Sequence, residues 1–194
     1  RVASAQTASA LASLLDSLVP AAMAAERIRG AVVTVVSGGR VILSKGYGFA
    51  DVESRRPMTD STIVRIGSIS KVMTAVAVAQ LIDRGRVHLD SGVYRYLRDL
   101  RIQTRYRVPT TVRHLLTHTA ALDEIRPGPL ADGQASLQPL RDYLRPRLVQ
   151  YARPGAATAY STYGTALAGV IVEDVSGLPF EQYLLDSIWR PLGM

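Results

Sequence analysis

The chain has 194 residues, of which 47% are hydrophobic and 20% are charged. This balance is ordinary for a globular protein, and the length suffices for one well-buried domain or two intergrown lobes. These residues contain no run of eighteen apolar side chains, which excludes a membrane-spanning helix within them. The chain has no cysteine, which is compatible with any redox compartment.

The net charge of +7 would suit an anionic partner such as nucleic acid, a membrane surface or a cell-wall polymer. The basic residues are scattered, however, and no aromatic ladder accompanies them as in a single-strand binder. We therefore expect no nucleic-acid partner. Because the sequence starts at Arg1 rather than at a Met, a leader could have been removed. Export to a periplasmic or extracellular location is thus slightly favoured, and the compartment is otherwise open.

The first third of the chain predicts one helix and one hairpin. Apolar residues recur at helical spacing over residues 11–29, and Pro20 predicts a kink or a break there. Two β-branched runs follow at residues 31–36 and 40–47, and the turn residues Ser-Gly-Gly at 37–39 separate them. This pattern indicates an amphipathic packing helix followed by a β-hairpin.

The next segment predicts a strand that leads into a buried helix. A short strand is expected at residues 62–66, followed by Gly67 and a helix over residues 70–84 that ends at Gly85. The interior of this helix is apolar on all sides, so we expect it to lie in the core. Ser68 would then stand where a buried helix begins.

Loops and short helices are expected over residues 89–150, with helical signals at 112–117 and 137–148. The last part predicts two more helices, at residues 162–175 before Gly177 and at 180–188. The second should end before Pro191.

The strongest chemical signal is a Ser-x-x-Lys pattern formed by Ser68 and Lys71. Residues three apart lie on one face of a helix, so an ammonium would stand beside a hydroxyl. The helix dipole favours the negative charge that develops on an attacking serine, and burial would lower the pKa of a lysine so that it could take the proton itself. The alternative is that Ser68 only caps the helix and Lys71 is solvated, since the pattern occurs often by chance.

Several segments in order resemble one family of enzymes. Residues 64–71, Val-Arg-Ile-Gly-Ser-Ile-Ser-Lys, resemble the nucleophile segment of class C β-lactamases, family VIII esterases and DD-peptidases, which are penicillin-recognising serine hydrolases. Residues 112–122 are similar to the family's His-Thr-Ser-Gly segment, with Ala at positions 120 and 121. Residues 160–164, Tyr-Ser-Thr-Tyr-Gly, match its Tyr-x-Asn segment, and residues 191–194 match its Pro-Leu-Gly-Met.

The resemblance is to the N-terminal two thirds of these enzymes. It implies an α/β (α+β) fold of the β-lactamase/transpeptidase type, with a helical lobe and a partial antiparallel sheet. Residues 1–67 would form the helix and hairpin, and residues 68–194 the mostly helical lobe. The family's Lys-Thr-Gly or His-x-Gly strand is not found, so the C-terminal strands are expected to be absent from this chain. The hairpin would then keep an unpaired edge and an uncovered face, which the rest of the protein, a second chain or a swapped partner should cover.

The resemblance also implies roles for particular residues. Tyr160, coupled to Lys71, would carry the proton between Ser68, the leaving group and water. Thr162 stands where the family usually has Asn, and would bind substrate with one hydroxyl in place of a carbonyl and an amide. His118 would be structural, since the chain has no Gly-x-Ser-x-Gly elbow for a Ser-His-Asp triad.

No metal and no other cofactor are expected, because the three histidines have no cysteine or carboxylate cluster to complete a site. The implied function is a serine hydrolase that forms an acyl-enzyme with an ester, a β-lactam or a D-amino-acid amide. Its substrate would be a small molecule or peptidoglycan-like. The alternative is a non-catalytic or acylation-only homologue, a sensor or a scaffold of the same fold.

Overall fold

A computed structural model describes residues 2–122 and 138–194 of the chain. Their contacts form two compact units, Arg1–Arg65 and Ile66–Met194. The predicted domain boundary lies between residues 67 and 68, and it stays a prediction. The two units are described in turn.

The first unit begins with helix α1, Val2–Glu26, which starts earlier than the apolar pattern predicts. Pro20 lies inside α1 and the helix continues past it, so the predicted break does not occur. One face of the helix turns inward at four-residue spacing, whereas Leu14 and Leu18 are each 54% exposed. The residues of the inward face are Leu11, Leu15, Val19 and Met23. This confirms the predicted amphipathic helix.

The predicted hairpin is present. Strand β1, Gly30–Ser37, pairs antiparallel with β2, Arg40–Asp51, and the two-residue turn Gly38-Gly39 has positive φ at both positions. Two consecutive left-handed residues suit a tight hairpin whose twist matches that of its strands, and glycine adopts them without steric cost. A third strand, β3, Arg56–Pro57, pairs with the end of β2, which gives the order β1-β2-β3.

Helix α1 covers one face of this sheet through a polar contact. Asp16 of α1 accepts hydrogen bonds from Lys45 Nζ at 2.6 Å and from the Tyr47 hydroxyl at 3.0 Å. The bond from Lys45 holds the pKa of Asp16 below its usual range. On the other face, Val32 and Val36 are 37% and 60% exposed. Among the described residues β1 pairs only with β2, so its outer edge is open, as the sequence predicts.

The predicted strand at residues 62–66 is wrong. These residues have no regular structure, and Ile63 is 98% exposed. A β-branched run becomes a strand only when a neighbouring strand accepts and donates its backbone hydrogen bonds, and the described residues provide no such neighbour here.

The second unit is built around helices α2, Ser70–Asp83, and α5, Thr162–Ser176. Both agree with the predicted helices, and α2 ends before Gly85, whose φ is +67°. The expectation that α2 is buried on all sides is wrong. Ala77, Val78 and Leu81 are fully buried, but Val72 is 54% exposed, because only one side of α2 has a helix packed on it among the described residues.

Short elements complete this unit. The helix predicted at residues 112–117 is present as α3, one residue shorter. The signal at 137–148 yields only a short α4, and residue 137 lies outside the described residues. The predicted helix at 180–188 is interrupted by a π-helical turn. The bounds are α3 Val112–Leu116, α4 Leu140–Leu144, α6 Phe180–Leu184, the π-helical turn Leu185–Trp189 and α7 Arg190–Leu192.

A buried carboxylate ties α4 to α5. The side chain of Asp174 in α5 is 0% exposed and accepts a hydrogen bond from Arg141 Nη2 of α4 at 2.7 Å. The backbone N–H of Arg98 also donates to Asp174, at 3.1 Å. A buried charge with this many donors is compensated, so it fixes how α4 packs on α5.

Candidate active site

Ser68 lies in a 3₁₀ turn, Gly67–Ile69, immediately before α2. Gly67 has φ +53°, and no atom lies close to where a Cβ would be. A glycine therefore suits this position because of the backbone turn into the helix, and not because space is short. The hydroxyl of Ser70 donates to Gly67 O at 2.7 Å and fastens this turn. Ser68 is exposed, as a nucleophile that meets substrate must be.

Lys71 stands one helical turn after Ser68, on the same face. Its Nζ donates to Ser68 Oγ at 3.3 Å, which is the contact that the Ser-x-x-Lys spacing predicts. The side chain is only partly buried, so the expectation of a lysine enclosed in the lobe is not met in the described residues. Lys71 also lies over the ring of Tyr160, with Nζ 4.9 Å from the ring centroid.

Tyr160 completes the group from a distant part of the chain. It precedes Ser161, the N-cap of α5, whose hydroxyl accepts a hydrogen bond from the N–H of Gly164 at 3.1 Å. The Tyr160 hydroxyl donates to Ser68 Oγ at 2.6 Å. The three residues to which the sequence assigns catalysis are therefore brought together around one oxygen.

Thr162 is the first residue of α5 and is exposed. It lines the same cavity as Lys71, a space of about 540 Å³ whose other walls are mostly apolar side chains. Thr162 therefore shares a cavity with Lys71, at the position where the family usually has Asn. Its part in substrate binding stays a prediction.

His118 lies behind Tyr160, a position that sequence reasoning missed. Its Nδ1 accepts a hydrogen bond from the N–H of Ser161 at 3.2 Å, and its carbonyl accepts one from the N–H of Ala159 at 2.8 Å. The rings of His118 and Tyr160 are 4.6 Å apart between centroids. The two segments are far apart in sequence, so no local periodicity could have revealed this contact.

Ala121 occupies the position where the family's His-Thr-Ser-Gly segment has Gly. Its φ is +51°, in the left-handed region that glycine adopts without strain. The residue is buried, with 3% exposure, and the N–H of Tyr151 donates to its carbonyl at 3.1 Å. The substitution thus keeps the turn, at a cost in backbone strain that the surrounding packing offsets.

The other histidine of this segment, His114, belongs to the cap of α3. Its Nδ1 accepts a hydrogen bond from the N–H of Thr111 at 3.1 Å, and the Thr111 hydroxyl accepts one from the N–H of His114 at 3.3 Å. Burial lowers the pKa of His114, which suits an acceptor nitrogen. Within residues 2–122 and 138–194, no three histidine, aspartate or glutamate side chains lie close enough together to hold a metal ion.

A comparison with known families identifies the family of the chain. The family model described as Beta-lactamase matches residues 15–194. The chain belongs to the β-lactamase family. The predicted family and fold class are thereby confirmed, and Ser68, Lys71 and Tyr160 lie within the matched part of this β-lactamase-family chain.

Three relatives show how much of the family's architecture the chain spans. It is 32% identical to esterase EstB of Burkholderia gladioli over 96% of its own length and 51% of that protein. It is 33% identical to the D-alanyl-D-alanine-carboxypeptidase/endopeptidase AmpH of Escherichia coli K12, over 85% of this chain and 44% of that one. The structure of EstCE1, a hydrolase with promiscuous acyltransferase activity, superposes with a TM-score of 0.81 at 32% identity, covering 97% and 53% of the two chains.

The chain thus spans about half the length of the curated relatives that it matches. This agrees with the expectation that the C-terminal strands of the sheet are absent from these residues. No helix in the described part of the chain is long and apolar enough to cross a membrane.

Proposed function

We propose that the protein is a serine hydrolase that works through an acyl-enzyme, and that Ser68, Lys71 and Tyr160 carry its chemistry. The observation that carries this proposal is the convergence of two proton-exchanging groups on Ser68 Oγ, the Tyr160 hydroxyl at 2.6 Å and Lys71 Nζ at 3.3 Å. An activated serine needs a proton acceptor within hydrogen-bond reach, and the Tyr160 oxygen lies within that reach with Lys71 beside it.

The unequal distances suggest how the work is divided. Tyr160 is the closer group, so it takes the Ser68 proton as Oγ attacks the carbonyl carbon of the substrate. The positive charge of Lys71, close to both, favours the phenolate that can accept this proton. Tyr160 then gives the proton to the leaving alkoxide or amine as the carbonyl–leaving-group bond breaks. A water molecule then attacks the carbonyl carbon of the acyl-enzyme, and Tyr160 takes its proton. Tyr160 returns this proton to Ser68 Oγ as the acyl–oxygen bond breaks, which releases the acid and restores free Ser68.

For the substrate we propose an ester, a β-lactam or a D-amino-acid amide, as a small molecule or as part of a peptidoglycan-like polymer. The names of the relatives, an esterase and a D-alanyl-D-alanine carboxypeptidase, support this range of acyl donors. Thr162 offers one hydroxyl where the family usually offers an amide, so it can hold fewer polar groups of a substrate. We therefore favour a broad esterase or peptidase over a dedicated β-lactamase.

The proposal includes a partner for the open sheet and a location. The exposed face and open edge of the hairpin would be covered by the remaining strands of the protein, a second chain or a swapped partner. Export to the periplasm or the exterior is consistent with a peptidoglycan-like substrate.

The second candidate is a homologue that acylates without turnover, or does not react at all. It is favoured by the departures at Thr162 and at Ala120 and Ala121, which alter two segments that flank the reacting group. Ala121 keeps a left-handed backbone, however, and Thr162 keeps a hydroxyl in the lining of the cavity that Lys71 also lines. The hydrolase is therefore the stronger proposal.

The test is covalent labelling of the full-length protein with a fluorescent penicillin and with an activated phosphonate ester, read by intact mass. We expect a stoichiometric adduct that is lost in Ser68→Ala. Ser37→Ala is the matched control, since Ser37 is an exposed serine at the end of β1, outside the Ser68 turn. The absence of an adduct with both probes would overturn the hydrolase, and an adduct that never decays would support the acylation-only homologue.

A further inference from the structure

We infer that His118 is a positioning residue for Tyr160, and that it acts as a neutral imidazole whose Nδ1 is a hydrogen-bond acceptor. The inference rests on the proposed function, because it concerns how the tyrosine that receives the Ser68 proton is held. The inference adds His118 to the residues that support catalysis, whereas the sequence predicts only a structural role for it.

The first support is that His118 fixes the backbone on both sides of Tyr160. The carbonyl of His118 accepts from the N–H of Ala159 at 2.8 Å, and its Nδ1 accepts from the N–H of Ser161 at 3.2 Å. A residue whose two neighbours are tied to the same partner has little freedom to translate along the chain. The backbone position from which the Tyr160 side chain reaches Ser68 is therefore fixed.

The second support is the ring contact. The imidazole of His118 lies 4.6 Å from the phenol ring of Tyr160 between centroids, with an angle of 34° between the planes. Tyr160 is 55% exposed, so solvent rather than protein covers more than half of its surface. An aromatic face at this distance restricts the side-chain angle of Tyr160 as the hydrogen bonds restrict its backbone.

The third support is the conformation of His118 itself. Its φ is +56°, in the left-handed region that a residue with a Cβ adopts only with backbone strain. The next residue is anchored, since the N–H of Thr119 donates to His114 O at 2.9 Å and the N–H of Gly155 donates to Thr119 O at 2.8 Å. With this left-handed backbone, the His118 ring lies against Tyr160 and the backbone N–H of Ser161.

The hydrogen-bond pattern also selects the protonation state. A backbone N–H can donate only to an unprotonated nitrogen, so Nδ1 has no proton and the neutral ring carries its proton on Nε2. In the described residues the groups in contact with Ser68 Oγ are Lys71 and Tyr160. His118 thus acts through Tyr160 and is not itself a proton acceptor for the nucleophile.

Two substitutions separate the two parts of this role. His118→Asn retains an acceptor oxygen close to the position of Nδ1 and loses the ring. His118→Phe retains a ring and loses the acceptor. A displacement of about 1 Å at a catalytic group costs on the order of 100-fold in rate. We therefore expect His118→Phe to slow acylation by about 100-fold and His118→Asn, which keeps the acceptor but loses the ring, to recover part of that loss. His88→Phe, at an exposed histidine elsewhere in the same unit, is the matched control.

The deciding measurement is the acylation rate of the full-length protein by an activated ester, with each variant made in the wild type and in Tyr160→Phe. If His118 acts through the Tyr160 hydroxyl, His118→Phe should lower the acylation rate very little in the Tyr160→Phe background, because both substitutions remove the same contribution to the rate. An equal cost in both backgrounds, or acylation by His118→Phe at the wild-type rate, would overturn the inference and leave the proposed hydrolase intact.

A second measurement does not depend on activity. In a sample with ¹⁵N-labelled histidine, the two ring nitrogens of His118 give separate NMR signals, assigned by their loss in His118→Asn. We expect Nε2 to carry the proton and Nδ1 to be unprotonated at pH 8. A proton on Nδ1 would overturn the inference. If the wild-type protein forms no acyl-enzyme while this tautomer is observed, the proposed function fails and the His118 contact stands.

Discussion

Removal of one oxygen atom tests the assignment of the proton acceptor. Tyr160→Phe keeps the aromatic ring against His118 and removes the hydroxyl that lies 2.6 Å from Ser68 Oγ. A positioned acid–base group contributes about 100- to 10,000-fold in rate, which corresponds to about 3–5 kcal/mol of transition-state stabilisation. Lys71 remains, with its Nζ 3.3 Å from Ser68 Oγ.

We expect the rate of acylation of the full-length protein by a 4-nitrophenyl ester to fall by this factor, measured as the burst of nitrophenol in stopped flow. Binding of the ester should change little, because Tyr160 exchanges a proton in the reaction and its loss removes an interaction of the transition state. Stability should also change little, since the side chain is 55% exposed. An acylation rate within threefold of the wild type would refute the reasoning and assign the proton to Lys71 itself.

Two further predictions concern stability, measured by thermal unfolding of the full-length protein. Asp174→Asn should cost roughly 3 kcal/mol, because it removes the buried charge that Arg141 contacts at 2.7 Å, whereas Asp186→Asn, at an exposed pair, should cost under about 1 kcal/mol. Equal losses would contradict the burial argument. His114 has a pKa below its ordinary value of 6.5, so its contribution is complete above pH 6.5 and is lost as the pH falls through the folded-state pKa. His114→Asn should flatten the loss of stability between pH 7 and 5, and an unchanged slope would show that His114 is not its source.

The sequence predicts most of the local structure correctly. The hairpin follows from two β-branched runs around a Gly-Gly turn, and α5 follows from the cap at Ser161 and the left-handed Gly177. The contact between Ser68 and Lys71 is also local, because residues three apart on a helix are neighbours whatever surrounds them. These features depend on interactions between residues that are close together in the sequence, so the order of the residues is enough to predict them.

The tertiary structure decides the features that depend on a partner. Residues 62–66 have the composition of a strand and form none, and α2 has apolar residues on all sides yet buries only one. In both cases the side chains are suited to burial, but a strand needs a neighbour for its hydrogen bonds and a helix buries only the face on which something packs.

The candidate site shows the same division. From the residues alone, the sequence indicates a serine with an adjacent lysine, and the resemblance adds Tyr160. Only the folded chain brings the Tyr160 hydroxyl to Ser68 and places His118 behind its ring. Such contacts are set by how α2 and α5 pack and by a strained turn at residue 118, and neither is encoded in any periodicity of the chain. The sequence therefore determined which groups could react, and packing between distant segments decided which of them meet.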